Sequence, residues 1–127
     1  MFGFLLDLLY YTTIPSRLCA LDLRKKANRA HTLNQLIDLV FNYKPILFKR
    51  LDIRPFQIRE EILELLRILK SLKPRTILEI GTARGGTLFL FTQVAKPDAI
   101  IISIDLPGGP FGGGYPSWEK IPIQIVR

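Results

Sequence analysis

Cysteine is almost absent from this chain. Cys19 stands alone, so no intramolecular disulfide can form, and no CxxC pair or Cys/His cluster is present to hold structural zinc. Such usage suits a reducing compartment, and we expect a cytoplasmic protein. Flanked by Leu18 and Ala20, the thiol reads as a small buried apolar side chain rather than a reactive nucleophile. Histidine is equally scarce: His31 has no visible partner and reads as a helix-start residue, not a catalyst. Also missing is any run of the roughly 20 apolar residues that a membrane-spanning helix requires. The most apolar stretch, residues 1–11, is interrupted by Asp7 and has no preceding basic residue, which makes it a poor signal peptide. A helix packed on the rest of the protein, or on a second copy in a homo-oligomer, is the expectation there. Peripheral membrane contact, backed by the basic run that follows, is the alternative.

Acidic residues are sparse in one region only. The net charge is +7, yet residues 17–59 hold ten Lys or Arg against three Asp, while the rest of the chain balances eight against eight. The basic excess therefore belongs to the N-terminal region. A solvated helical face is the first reading of it, and attraction to phosphates, nucleic acid or an anionic membrane surface the second. What the chain does have is apolar content: 48% hydrophobic residues and a mean hydropathy of +0.22 exclude a disordered tail and suffice for a core.

Three zones follow from pattern. To about residue 50 the chain reads as helical, with Leu33, Leu36, Ile37, Val40 and Phe41 at helical spacing until Asn42-Tyr43-Lys44-Pro45 ends the run. A stronger helix is predicted from about Pro55 to Leu72, with Ile58, Ile62, Leu65, Leu66, Leu69 and Leu72 as its stripe. Its glutamates (Glu60, Glu61, Glu64) lie toward the start and Lys70 and Lys73 at the end, as the helix dipole favours. The third zone changes period. Thr76 to Ile80 and Ala99 to Leu106 read as buried parallel strands, and Gly85 to Ala95 as the helix between them, giving one βαβ unit. After Leu106, eight of the ten residues 107–116 are Gly or Pro and must be loop, either a lid carrying Tyr115 and Trp118 or a loose end. Ile121 to Val126 reads as extended.

The chemistry concentrates in Glu79-Ile80-Gly81-Thr82-Ala83-Arg84-Gly85-Gly86-Thr87, at the carboxyl end of the first strand, where open α/β sheets bind ligands. Gly81 permits a tight turn, and Gly85 and Gly86 permit close packing at the helix start. A P-loop would place lysine where Thr87 stands, so a nucleoside triphosphate is disfavoured. The dinucleotide fingerprint would place glycine where Ala83 stands. Asp105 ends the second strand, 24 residues after Gly81, near the interval of about 20 at which an acidic residue takes ribose hydroxyls in such units. Arg84 either meets an anionic group or sits on the surface of the turn.

The order Glu79-x-Gly81-x-Ala83-x-Gly85 resembles the first motif of class I S-adenosylmethionine-dependent methyltransferases, with Ala83 in place of the commoner glycine. The resemblance implies that Glu79 faces the amino group of the cofactor's methionine moiety, that Gly81, Thr82, Ala83 and Gly85 line it, and that Asp105 anchors its ribose. More narrowly, residues 77–89 together with Ile104-Asp105-Leu106-Pro107-Gly108-Gly109 are similar to bacterial methyltransferases grouped with the cephalosporin hydroxylase family, over about residues 55–120. That likeness implies O-methylation of a small molecule or sugar, with magnesium assisting some members, and it gives no ground to infer hydroxylation. Nucleic acid is not the favoured partner. Catalytic base and metal ligands would come from later strands, and Glu119 is the lone carboxylate after Asp105, so no metal site and no catalytic residue is assigned. The resulting expectation is an α/β chain with an N-terminal helical region (1–50) and a partial Rossmann-like cofactor-binding domain (51–127), a truncated methyltransferase. A noncatalytic module that binds a partner chain, nucleic acid or a membrane surface is the alternative.

Overall fold

Thr32 opens a helix by a reciprocal cap. Its hydroxyl accepts from the Gln35 backbone N–H at 3.1 Å, and the Gln35 side chain accepts from the backbone N–H groups of His31 (2.7 Å) and Thr32 (3.2 Å). This capping box satisfies donors that the first helical turn leaves orphaned. In the computed structural model, which describes residues 2–10, 12, 14–48 and 51–106, this is the third of five helices. The order is α1 (Phe2–Tyr10), α2 (Ile14–Ala27), α3 (Leu33–Asn42), α4 (Arg59–Leu72), β1 (Thr76–Ile80), α5 (Gly86–Val94) and β2 (Ile100–Ile104). Among the described residues the chain is thus a mixed α/β structure with a two-stranded parallel sheet. The loop and extended segment expected beyond Leu106, with Tyr115, Trp118 and Glu119, lie outside the described residues.

Helix α3 behaves as its periodicity predicts: Ile37 and Val40 are fully buried, and Leu33, Leu36 and Phe41 pack at the margin of the core. It stops at Asn42, as the downstream proline requires. Tyr43 then drops into the core with its hydroxyl 3.2 Å from the Cys19 carbonyl and 3.0 Å from Asp22 Oδ2, fastening the end of α3 to α2. Cys19 is buried there, and burial pushes its thiol pKa up, so it is held as an unreactive thiol.

The second long helix departs from expectation. It begins at Arg59, not Pro55, because residues 51–55 form a non-helical strap and the chain bends at Phe56 and Gln57 before the helix starts. Leu51, Ile53 and Pro55 are buried while Asp52, Arg54 and Phe56 face outward, a period of two that no helix can satisfy. Ile58 therefore caps α4 from outside, and the buried stripe is Ile62 and Leu66 with Leu63 and Leu69 beside them; Leu65 and Leu72 are exposed. Glu60 and Glu61 in the first turn and Lys70 in the last sit as the dipole favours. Arg59 also reaches back to α3, donating to Asp38 Oδ1 at 2.9 and 2.6 Å and to Asn34 at 3.2 Å. The helix ends at Lys73, which is left-handed (φ 49°) and donates its N–H to the Leu69 carbonyl.

Helix α5 contacts α3, α4 and β2, and its residues 86–91 are all buried. Its first residue is where the close approach occurs. A Cβ built on Gly86 would stand 1.9 Å from the Ile53 carbonyl oxygen and 2.9 Å from both Pro55 Cδ and Val40 Cγ1. Strap, α3 and α5 thus meet at a point where only a hydrogen fits. The strands pair in parallel with Ile77 opposite Ile101 and Glu79 opposite Ser103. Both were expected to be buried on two faces. Among the described residues one face is covered, while Leu78, Ile80, Ile100, Ile102 and Ile104 are exposed, Ile80 to 82%. The reason is the period of two: α5 covers only the side that carries Ile77 and Glu79.

Alanine normally outranks glycine in a helix by about 1 kcal/mol. At position 86 the backbone clash reverses the sign, and Gly86→Ala should destabilise the fold by about 2 kcal/mol or more, read as a lowered urea midpoint with an unchanged slope.

Candidate functional site

Parallel pairing brings the carboxyl ends of both strands to one edge, and the residues singled out in the sequence gather there. Gly81 N–H donates to the Ile104 carbonyl at 2.7 Å, the last rung between the strands, and from it the chain turns into α5. Gly81 (φ 88°), Ala83 (φ 46°) and Gly85 (φ 87°) are all left-handed. Alternate left-handed residues coil the backbone tightly, which explains glycine at 81 and 85. Ala83 occupies the same region at a cost of roughly 1–2 kcal/mol. The space beside Gly81 is open: a Cβ there would meet nothing within 4 Å.

Two acidic side chains flank this turn in different ways. Asp105 is half-buried and works within the chain: its Oδ2 accepts from Ala83 N–H at 2.9 Å and its Oδ1 from Leu106 N–H at 2.8 Å. One carboxylate thereby holds the strained turn of the first strand to the end of the second.

Glu79 is buried, with 7% of its surface exposed, beneath the covered face of the sheet. Ser103, its register partner, donates to Oε2 at 2.5 Å, and with that proton committed, Thr82 Oγ1 must donate to Ser103 Oγ, also at 2.5 Å. Thr82 thus supports Glu79 through Ser103. Glu79 Oε1 is buried and has no hydrogen-bond partner in the structure. Burial pushes the Glu79 carboxyl up from its ordinary value; the Ser103 hydrogen bond draws it down, and the neighbouring Asp105 charge raises it again. A buried acceptor without a donor costs about 1–3 kcal/mol, so this atom is set up for an N–H or O–H group from elsewhere.

The strap supplies residues that sequence reasoning did not single out. Arg84 pairs with Asp52 and lies over the Phe56 ring at 5.9 Å, which makes it a tie between turn and strap. Thr87, at the α5 start, donates to Gln57 at 3.1 Å. Ser103 was legible in hindsight: it is the one polar residue in the apolar run before Asp105, and parallel register sets it opposite Glu79. Among the described residues no cluster of three or more His, Cys, Asp or Glu side chains could hold a metal ion. No family model, curated protein or solved structure matches this chain.

Two outcomes follow from this geometry. Ala83→Gly should relieve the left-handed strain and raise stability by about 1 kcal/mol in chemical denaturation. The folded state holds the Glu79 proton more tightly than the unfolded chain does, so stability should fall as pH rises from the ordinary glutamate value through the weakly acidic range. Glu79→Gln should remove that contribution, at most about 1.4 kcal/mol per pH unit, flattening the plot of urea midpoint against pH.

Proposed function

We propose that residues 76–105 form the methyl-donor half-site of an S-adenosylmethionine-dependent methyltransferase, the βαβ unit being the opening of a Rossmann-like sheet. The observation that carries this reading is the orphaned Glu79 Oε1, buried beside a turn whose Gly81 side is open. A cationic amino group is the natural donor for it, and S-adenosylmethionine carries one at its methionine end. By the resemblance Asp105 would take the ribose hydroxyls, and its two backbone bonds hold the carboxylate at the edge of the sheet. Gly81, Ala83 and Gly85 would line the cofactor through their backbone, and Thr82 would act by holding Ser103 on Glu79. The turn leaves no lysine for a phosphate chain, which argues against nucleotide triphosphates.

S-adenosylmethionine held there would supply an electrophilic methyl group, its sulfur keeping the bonding pair as the C–S bond breaks and the acceptor hydroxyl releasing its proton to solvent. We read the acceptor as a small molecule or sugar, on the likeness to the cephalosporin hydroxylase group. This chain's own contribution is to bind and orient the donor, a matter of proximity rather than of covalent chemistry. The lone buried cysteine accords with a cytoplasmic setting.

Calorimetric titration of the 127-residue chain tests the reading. S-adenosylmethionine should bind and NAD should not. Glu79→Gln, which removes the charge but keeps the shape, should weaken binding about tenfold or more with the circular dichroism spectrum unchanged. A folded chain that takes up no S-adenosylmethionine would sink the proposal.

A further inference from the structure

The most exposed aliphatic residue on the helical side of the molecule is Ile46, at 85%, in the turn that follows α3. Beside it, Leu47 is 56% exposed, and both line one open apolar groove with Leu18 of α2. Leu21, one turn further along the outer face of α2, is also exposed, as is Ile14 at its start. Leu18 and Leu21 therefore continue one apolar surface from α2 onto the 46–47 turn. Core packing does not account for them, since the buried face of α2 is made by Cys19, Ala20, Leu23 and Ala27.

Charge surrounds this surface. Residues 14–47 carry six basic side chains (Arg17, Arg24, Lys25, Lys26, Arg29, Lys44) against two acids, Asp22 and Asp38. Both acids are engaged: Asp22 takes Lys26 at 2.7 Å and Asp38 takes Arg59 at 2.6 Å. Arg17 and Lys25 are exposed on the same helix as Leu18 and Leu21, and Lys44 is exposed two residues before Ile46. Aliphatic tips and cationic heads thus alternate over one face.

We propose that this face, α2 with the 44–47 turn, docks on an anionic lipid bilayer. The aliphatic tips would enter the boundary between headgroups and acyl chains, where apolar area is removed from water, while the basic groups stay with the lipid phosphates. A nucleic acid would use the cations through its phosphates, which offer no apolar partner to Ile46 and Leu47, whereas a bilayer takes both kinds of side chain. Attachment of this kind is peripheral: among the described residues no helix is long and apolar enough to cross a membrane. Helix α1, which packs on α2, exposes Phe4, Leu5 and Leu8 and adds apolar area close to the same helix.

Flotation of the full chain with vesicles of phosphatidylcholine, with and without phosphatidylserine, tests the proposal. The protein should float with the phosphatidylserine vesicles, and less of it as salt is raised. Ile46→Ser with Leu47→Ser, both on exposed side chains and so neutral for folding, should lower partitioning about tenfold or more. Lys25→Glu with Lys44→Glu should lower it by a similar factor. The proposal is overturned if the folded wild-type chain ignores phosphatidylserine vesicles. It is also overturned if the serine pair leaves vesicle binding unchanged, or if that pair abolishes a homodimer seen by light scattering while no vesicle binding occurs. These variants lie away from the Glu79 turn and should leave S-adenosylmethionine binding unchanged, so this test and that of the methyl-donor site fail separately.

Discussion

Helix α5 has almost no polar face, and that constraint organises the molecule. Gly86-Thr87-Leu88-Phe89-Leu90-Phe91 is buried on every side, and a helix apolar all round must be covered all round. Helices α3 and α4, strand β2 and the 51–55 strap supply the cover. The core follows from this enclosure: Ile37, Val40, Ile53, Ile62, Leu66, Phe89 and Leu90 belong to one cluster that runs from α2 to the sheet. The strap is extended for the same reason. An α-helix at residues 51–58 would have to turn a broad cylinder toward the start of α5, whereas a single extended strand can lay a carbonyl against Gly86.

The turn and the start of α5 are held at three points, which is why a non-glycine residue can stay at φ 46° there. Asp105 grips Ala83 from the second strand, Asp52 grips Arg84 from the strap, and Gln57 accepts from Thr87. Strain at a site persists only where the surroundings over-determine it. The same surroundings aim Glu79. Its Oε2 is occupied by a two-hydroxyl chain from Ser103 and Thr82, and its Oε1 is left without a donor in a place from which water is largely excluded. An acceptor left in that position carries an energetic cost that an exposed one would not, because no water replaces the missing donor.

Much of this was legible in the sequence, and the rest failed for identifiable reasons. Both strands, the α3 stripe and the end of α3 at Asn42 followed from period and proline placement, because these are local rules. The start of α4 was read too early. Pro55 and Ile58 looked like a helix start and stripe, but the alternation of Leu51, Ile53 and Pro55 carried the stronger signal, and only the Gly86 contact explains why it prevailed. That Glu79, Gly81 and Asp105 would meet at one edge was visible because all three stand at the carboxyl ends of strands read as parallel. The contacts of Asp52 and Gln57 were not visible, because they span 32 and 30 residues of sequence and no local pattern contains them; Ser103 stood out only as a lone polar residue in an apolar run, and register gives it its role.

The period of two that buries Ile77 and Glu79 also sets Leu78, Ile80, Ile100, Ile102 and Ile104 on the opposite side of the sheet. These aliphatics and the basic helical face differ in how interactions through them would respond to ionic strength. Added salt weakens attachment that relies on Lys and Arg, but it also screens the mutual repulsion of molecules carrying a charge of +7 and lets bare aliphatic strands meet. The colloidal behaviour of the protein is therefore governed by a balance: in dilute buffer the net charge holds molecules apart, and in concentrated buffer that repulsion is screened while the aliphatic face remains.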